Sequence, residues 1–181
     1  LPDGYEYLPL LDGATPTGEH NLYPAVMRRL DPAHDTAPAH PRTARLGDTI
    51  ELLGYNINPD TDSLPVPPTP IQLALFWHTS TAIPQDYTVF TQLIGPDGQV
   101  WAQWDNPPQA GRYPTSVWRA GDTVVDRYTL TLREAAPAGE YRLLVGMYDP
   151  QTGQRLPVVV NGQPQADGAV ELARLHLPRS D

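Results

Sequence analysis

Proline constrains this chain more than any other residue, at 22 of 181 positions against roughly 5% in ordinary proteins. Its ring fixes φ and leaves no N–H to donate. It therefore breaks helix interiors and is confined in sheets to edges, strand starts and bulges. Prolines spread along the whole chain predict short strands joined by many turns, with no long helix.

The apolar pattern agrees from Leu46 onward, where its period is two. Residues 49–57 read as a strand with Gly54 as a bulge. Ile71, Leu73, Leu75 and Trp77 alternate with Gln72, Ala74, Phe76 and His78, as on a half-buried strand. Residues 87–94 form a third strand. Gly95-Pro96-Asp97-Gly98 is a tight turn, with Pro at its favoured early position and Gly where φ turns positive. Residues 100–104 return antiparallel. Strands follow at 124–132, 141–148, 155–160 and 169–177, separated by Pro137-Ala138-Gly139, by Asp149-Pro150-Gln151-Thr152-Gly153 and by a turn at Asn161-Gly162. Eight or so short strands give an all-β, antiparallel two-sheet β-sandwich, jelly-roll or immunoglobulin-like. Its expected interior holds Ile71, Leu73, Leu75, Trp77, Val89, Leu143, Val145 and Met147.

Residues 1–45 carry Pro2, Pro9, Pro16, Pro24, Pro32, Pro38 and Pro41 and only short apolar runs. Residues 22–27 read as an edge strand or a helical turn, and 31–41 as an extended linker. The expected division is an N-terminal arm over 1–45, placed to pack on the domain, and a β-sandwich domain over 46–178.

Cysteine is absent, so no disulfide staples the fold and no thiolate serves as nucleophile or ligand. All 12 basic residues are Arg and the net charge is −9. No Arg cluster appears beyond Arg28-Arg29, and no Gly-rich phosphate loop occurs, which argues against nucleic acid as a partner. No apolar run approaches the ~20 residues that span a bilayer, and no signal peptide is visible. The chain starts at Leu1 without Met, so the expectation is a fragment or a processed product.

Histidines 20, 34, 40, 78 and 176 are scattered without ligand spacing, so neither zinc nor another transition metal is expected, and no cofactor is implied; a calcium ion held by loop carboxylates and carbonyls stays open. No calcium-loop spacing occurs. No Gly-x-Ser-x-Gly elbow marks a nucleophile, and no catalytic residue is assigned. Asp97 and Asp149 fall in turns, where Asp caps its own backbone. Asp126 shares the inward parity of Val124, Tyr128 and Leu130. A buried carboxylate needs a partner. An Arg or backbone donors can supply one, and a structural ion pair is the expected form.

The aromatics give the sharpest lead. Trp77, Trp104 and Trp118 read as core or corner residues. Trp101 lies between Gln99 and Gln103, opposite in parity to Val100, Ala102 and Trp104. Phe76, His78 and Tyr148 share the outward parity. An aromatic ring flanked by amides suits a glycan, since the ring stacks on a pyranose face while Gln meets its hydroxyls. The candidate ligand-binding set is therefore Gln99, Trp101, Gln103, Phe76, His78 and Tyr148. The alternative is that the arm or another domain covers this face.

A longer pattern runs through the chain. It comprises Gly47-Asp48, Leu52-Leu53-Gly54-Tyr55, Leu75-Phe76-Trp77, Asp86-Tyr87-Thr88-Val89-Phe90, Pro96-Asp97-Gly98 and Tyr113-Pro114-Thr115-Ser116-Val117-Trp118. It continues with Gly121-Asp122, Asp126-Arg127-Tyr128, Gly139-Glu140-Tyr141, Val145-Gly146-Met147-Tyr148-Asp149, Thr152-Gly153 and Arg155-Leu156-Pro157. Over about residues 46–177 this resembles the extracytoplasmic β-sandwich domain appended to bacterial membrane glycosyltransferases, themselves similar to the dolichyl-phosphate-mannose-type protein mannosyltransferase family. The resemblance implies an extracytoplasmic, membrane-attached location and the membrane domain of the same polypeptide as a partner. It implies no activity for this chain, since transferase chemistry would sit in the membrane part. The expected function is a non-catalytic accessory module that takes a glycan or polymer. The alternatives are a free-standing carbohydrate-binding module or a jelly-roll hydrolase.

Overall fold

A computed structural model describes residues 37–179 and the two short strands β1 (Tyr5–Leu8) and β2 (Val26–Arg29), which pair antiparallel. Ten more strands follow: β3 (His40–Leu46), β4 (Ile50–Asn58), β5 (Ile71–Thr79), β6 (Thr88–Ile94), β7 (Val100–Asn106), β8 (Thr123–Leu130), β9 (Gly139–Tyr148), β10 (Val158–Val160), β11 (Gln163–Gln165) and β12 (Val170–Leu177). They form a six-stranded sheet in the order β11-β10-β3-β4-β5-β8 and a four-stranded sheet in the order β12-β9-β6-β7. The ladders of both sheets are antiparallel, and two short 3₁₀ turns are the only helical segments among the described residues.

The two sheets close on one apolar cluster. Leu46, Ile50, Leu52, Ile71, Leu73, Leu75 and Trp77 come from one sheet, and Val89, Leu93, Tyr141, Leu143, Val145, Met147 and Val170 from the other. All eight residues expected inside are buried. Each aliphatic side chain removed from water contributes ~1.5–3 kcal/mol, which fixes the register, because a one-residue slip would turn every strand inside out. The Tyr55 hydroxyl donates to the Leu172 carbonyl at 3.2 Å and so ties β4 to β12 across the core.

Gly54 sits at a register shift between β4 and its partners, as its place in the sequence suggests. Its φ is +156°, and a Cβ there would lie 2.4 Å from the His40 carbonyl oxygen and 2.7 Å from the Pro38 ring. The missing side chain lets the incoming chain cross close over β4.

Two strands differ from the sequence reading. The sheet takes in His40–Leu46, of which residues 40–45 were assigned to the arm. Only Ala44 and Leu46 of this strand are buried, and Pro41, Arg42 and Arg45 mask the alternation. The Asn161-Gly162 turn joins β10 to β11 rather than to the last strand. Both turn residues have positive φ, at 50° and 76°, as a two-residue hairpin requires. The three residues of β11 are all exposed and carry no apolar signal. Most of segment 22–27 lies outside the described residues, as does most of the arm.

Candidate functional site

The hairpin β6–β7 and strand β9 build the outer face of the four-stranded sheet. Residues directly opposite in an antiparallel ladder point the same way. Leu93, Leu143 and Ala102 oppose one another and face the core, so the alternate row of Gln92, Leu144 and Gln103 faces out. The next outward row holds Phe90, Gly146 and Asp105, and the last holds Thr88 and Tyr148.

Gly146 decides how this face is shaped. A Cβ there would lie 2.5 Å from Phe90 Cζ, so the Phe90 ring occupies the space over β9. The Arg155 guanidinium covers that ring at 4.1 Å and donates to the Asp167 carbonyl at 3.0 Å. Phe90 is thereby buried, while Asp105, opposite it on β7, remains exposed.

Tyr148 starts on β9 and its hydroxyl reaches toward Thr88 on β6 and the Asp105 carboxylate on β7, closing no hydrogen bond of ordinary geometry with either. The phenol therefore lies across β6, half-buried, with its ring 6.5 Å from that of Phe90. Partial burial raises the Asp105 pKa, opposed by the Tyr148 hydroxyl and the Arg155 charge. Burial, then Asp105, raises that of Tyr148. Gln103 is exposed two residues along β7 from Asp105, a spacing of roughly 7 Å on one face. The result is an open surface with an aromatic ring, two amides and a carboxylate.

The six residues singled out from the sequence do not all meet here. Gln103 and Tyr148 belong to this face. Phe76 and His78 lie on β5, in the other sheet, with Phe76 1% exposed. Gln99 closes the turn, its amide donating to Asp97 Oδ1 at 3.0 Å. Trp101 occupies a register shift between β6 and β7, where Ile94 pairs with Val100 and Leu93 with Ala102. Its indole folds over Gly95, where a Cβ would lie 2.5 Å from its ring. Its N–H donates to Asp97 at 3.0 Å, and the Arg133 guanidinium lies 5.9 Å from its ring centre. Trp101 is half-buried, held by its own turn, and partly packed on the core. Trp104, read as a core or corner residue, shares the inward row of Thr91 and Val145 but is 45% exposed, because β7 is the last strand of its sheet.

Asp105 has no spacing or neighbour in the sequence that marks it out from the other carboxylates. Its role depends on Tyr148 reaching across a strand, a contact between residues 43 positions apart that no local spacing announces.

No family model matches this chain, and no curated protein matches its sequence. Among solved structures it is similar to the C-terminal domain of wzt, with a TM-score of 0.54 over 82% of this chain and 86% of that one. The two share a fold. At 17% identity the likeness extends to the sandwich and not to the side chains on its faces.

A second polar cluster lies inside. Asp126 on β8 is 1% exposed. It accepts the Gln109 amide at 2.8 Å and a very short hydrogen bond from the Tyr128 hydroxyl. Burial pushes its pKa up to about 6 against the pull of those two donors. The Trp77 indole N–H adds to that pull, although it closes no hydrogen bond of ordinary geometry. The expected ion pair is thus replaced by hydroxyl and amide donors. Gln109 and the following Ala110 both have left-handed backbone, at φ 53° and 57°, which disfavours side chains other than Gly. The Gln109 side chain also donates to the Val125 carbonyl at 3.3 Å, so the loop is pinned against β8 at two points. Asp97 and Asp149 cap their own turns, accepting the amides of Gln99 and Gln151. No group of three His, Asp or Glu side chains among the described residues is placed to hold a metal ion.

Proposed function

We propose that this domain is a non-catalytic glycan-binding module whose site is the outer face of the four-stranded sheet. The observation that carries it is the half-buried Tyr148 ring on the outward row beside Phe90, on the same face as the exposed Asp105 and Gln103. A sugar offers an apolar ring face and a rim of hydroxyls. Tyr148 supplies the stacking surface, Asp105 accepts hydroxyl protons, and Gln103 and Gln92 both donate and accept. The most deeply buried carboxylate, Asp126, has its oxygens occupied by structural donors, which supports binding over hydrolysis.

In the same reading the domain is an extracytoplasmic accessory part of a larger, membrane-attached, glycosyltransferase-like protein and holds an acceptor or polymer near its membrane domain. The ordered residue pattern over 46–177 supports that setting.

Affinity on an open face is expected to be weak, since each net hydrogen bond contributes only about 1 kcal/mol. Tyr148→Ala is expected to reduce oligosaccharide affinity at least tenfold in calorimetric titration, and Gln103→Ala several-fold, with thermal midpoints close to that of the parent. Unchanged affinity in both variants would move the site off this face.

A further inference from the structure

The charges around this face point to the kind of glycan it takes, an inference that rests on the binding reading above. Three guanidinium groups border the face, and each is already engaged. Arg174 contacts Glu140 and Glu171, both at 2.8 Å. Arg142 lies 3.8 Å from the second oxygen of Glu171. Arg155 is held over Phe90 and on the Asp167 carbonyl. Beyond the turn, Arg133 lies beside Trp101.

A uronate, sialate or phosphate on an incoming sugar would have to displace a carboxylate to reach Arg174 or Arg142. It would otherwise meet only Arg155, which is exposed and has no carboxylate partner among the described residues but is held over Phe90 and on a backbone carbonyl. It would do so beside Asp105, in a protein of net charge −9. Like charges at close range repel, and steering at longer range works against an anion too. Asp105 lies within reach of the Tyr148 hydroxyl and presents its carboxylate to solvent. An ionised carboxylate is an acceptor with about four lone-pair sites. Two neighbouring hydroxyls of a sugar ring can donate to it together, and such charge-assisted bonds are the stronger kind.

We infer that the ligand is an uncharged glycan and that Asp105 is the specificity-determining residue, accepting adjacent ring hydroxyls and turning acidic sugars away. Arg155, on the far side of Phe90, favours the ionised form of that carboxylate against the effect of its partial burial.

The test is calorimetric titration of the purified chain with two sets of oligosaccharides at ~50 mM salt. The neutral set is mannohexaose, cellohexaose and chitohexaose, and the acidic set is hexagalacturonate and hexaguluronate. At least one neutral oligosaccharide is expected to bind at least tenfold tighter than either acidic one. Asp105→Asn should weaken that neutral ligand about tenfold and narrow the gap between the sets, at an unchanged thermal midpoint. Acidic oligosaccharides binding as well as neutral ones, or Asp105→Asn leaving the preference intact, overturns this inference and leaves the glycan reading standing. Binding of neither set overturns the glycan reading itself.

Discussion

Gly54→Ala is expected to destabilise the fold by about 3 kcal/mol, a lowering of the thermal midpoint of roughly 10 °C. The added methyl would sit 2.4 Å from the His40 carbonyl oxygen and 2.7 Å from Pro38. The first of these atoms is backbone, so relief requires β3 and the chain entering it to move away from β4. The φ of +156° adds to the strain. Gly98→Ala is the matched control, since its φ is also positive but nothing lies within 4 Å of the new atom. It should cost only about 1 kcal/mol. Urea denaturation of the two variants separates close approach from backbone conformation. Equal costs would show that the contact over β4 is slack.

The second large effect belongs to Asp126. Asp126→Ala leaves the Gln109 amide and the Tyr128 hydroxyl buried without their acceptor, which is expected to cost about 3 kcal/mol. Asp126→Asn gives a cleaner reading, because the amide group can still accept from Gln109 and can donate to Tyr128. In the folded protein the Asp126 pKa is raised to about 6 from 3.8, so folding favours the protonated acid. Its contribution is therefore fully present below about pH 4 and is lost as pH rises through 6. The difference amounts to about 3 kcal/mol. Relative to the parent, Asp126→Asn should gain stability by that order between pH 4 and pH 7.5, measured from urea midpoints. A difference between the two proteins that is flat with pH would mean the carboxylate is already ionised at pH 4.

The sandwich was legible in the sequence because burial on one face imposes a period of two that survives wherever a strand is long. Strands β5, β6, β8 and β9 all show it, and the turns between them carry Pro, Gly, Asn and Asp for stated reasons. The strands that escaped notice were those with little to bury: β3, whose inward residues are only Ala44 and Leu46, and the wholly exposed β11.

The candidate site was legible only in part. Parity placed Gln103 and Tyr148 on outward faces, but parity cannot tell one sheet from the other. Phe76 and His78 were therefore joined to a set they do not touch. Trp101 was read as a free-standing ring because a one-residue register shift is invisible in a pattern of alternation. The shift and the Asp97 carboxylate together turn that indole back onto its own hairpin. Asp105 carried no local signal at all, since its partner Tyr148 comes from a strand two positions away in the sheet.

The most direct test of the binding face is to follow backbone amide resonances of isotopically labelled protein during titration with a neutral oligosaccharide that it binds. The shifts are expected to concentrate at Gln92, Gln103, Asp105, Leu144 and Tyr148, on β6, β7 and β9. Shifts centred instead on Phe76 and His78 of the six-stranded sheet, or on the Trp101 turn alone, would contradict the assignment of the site to this face.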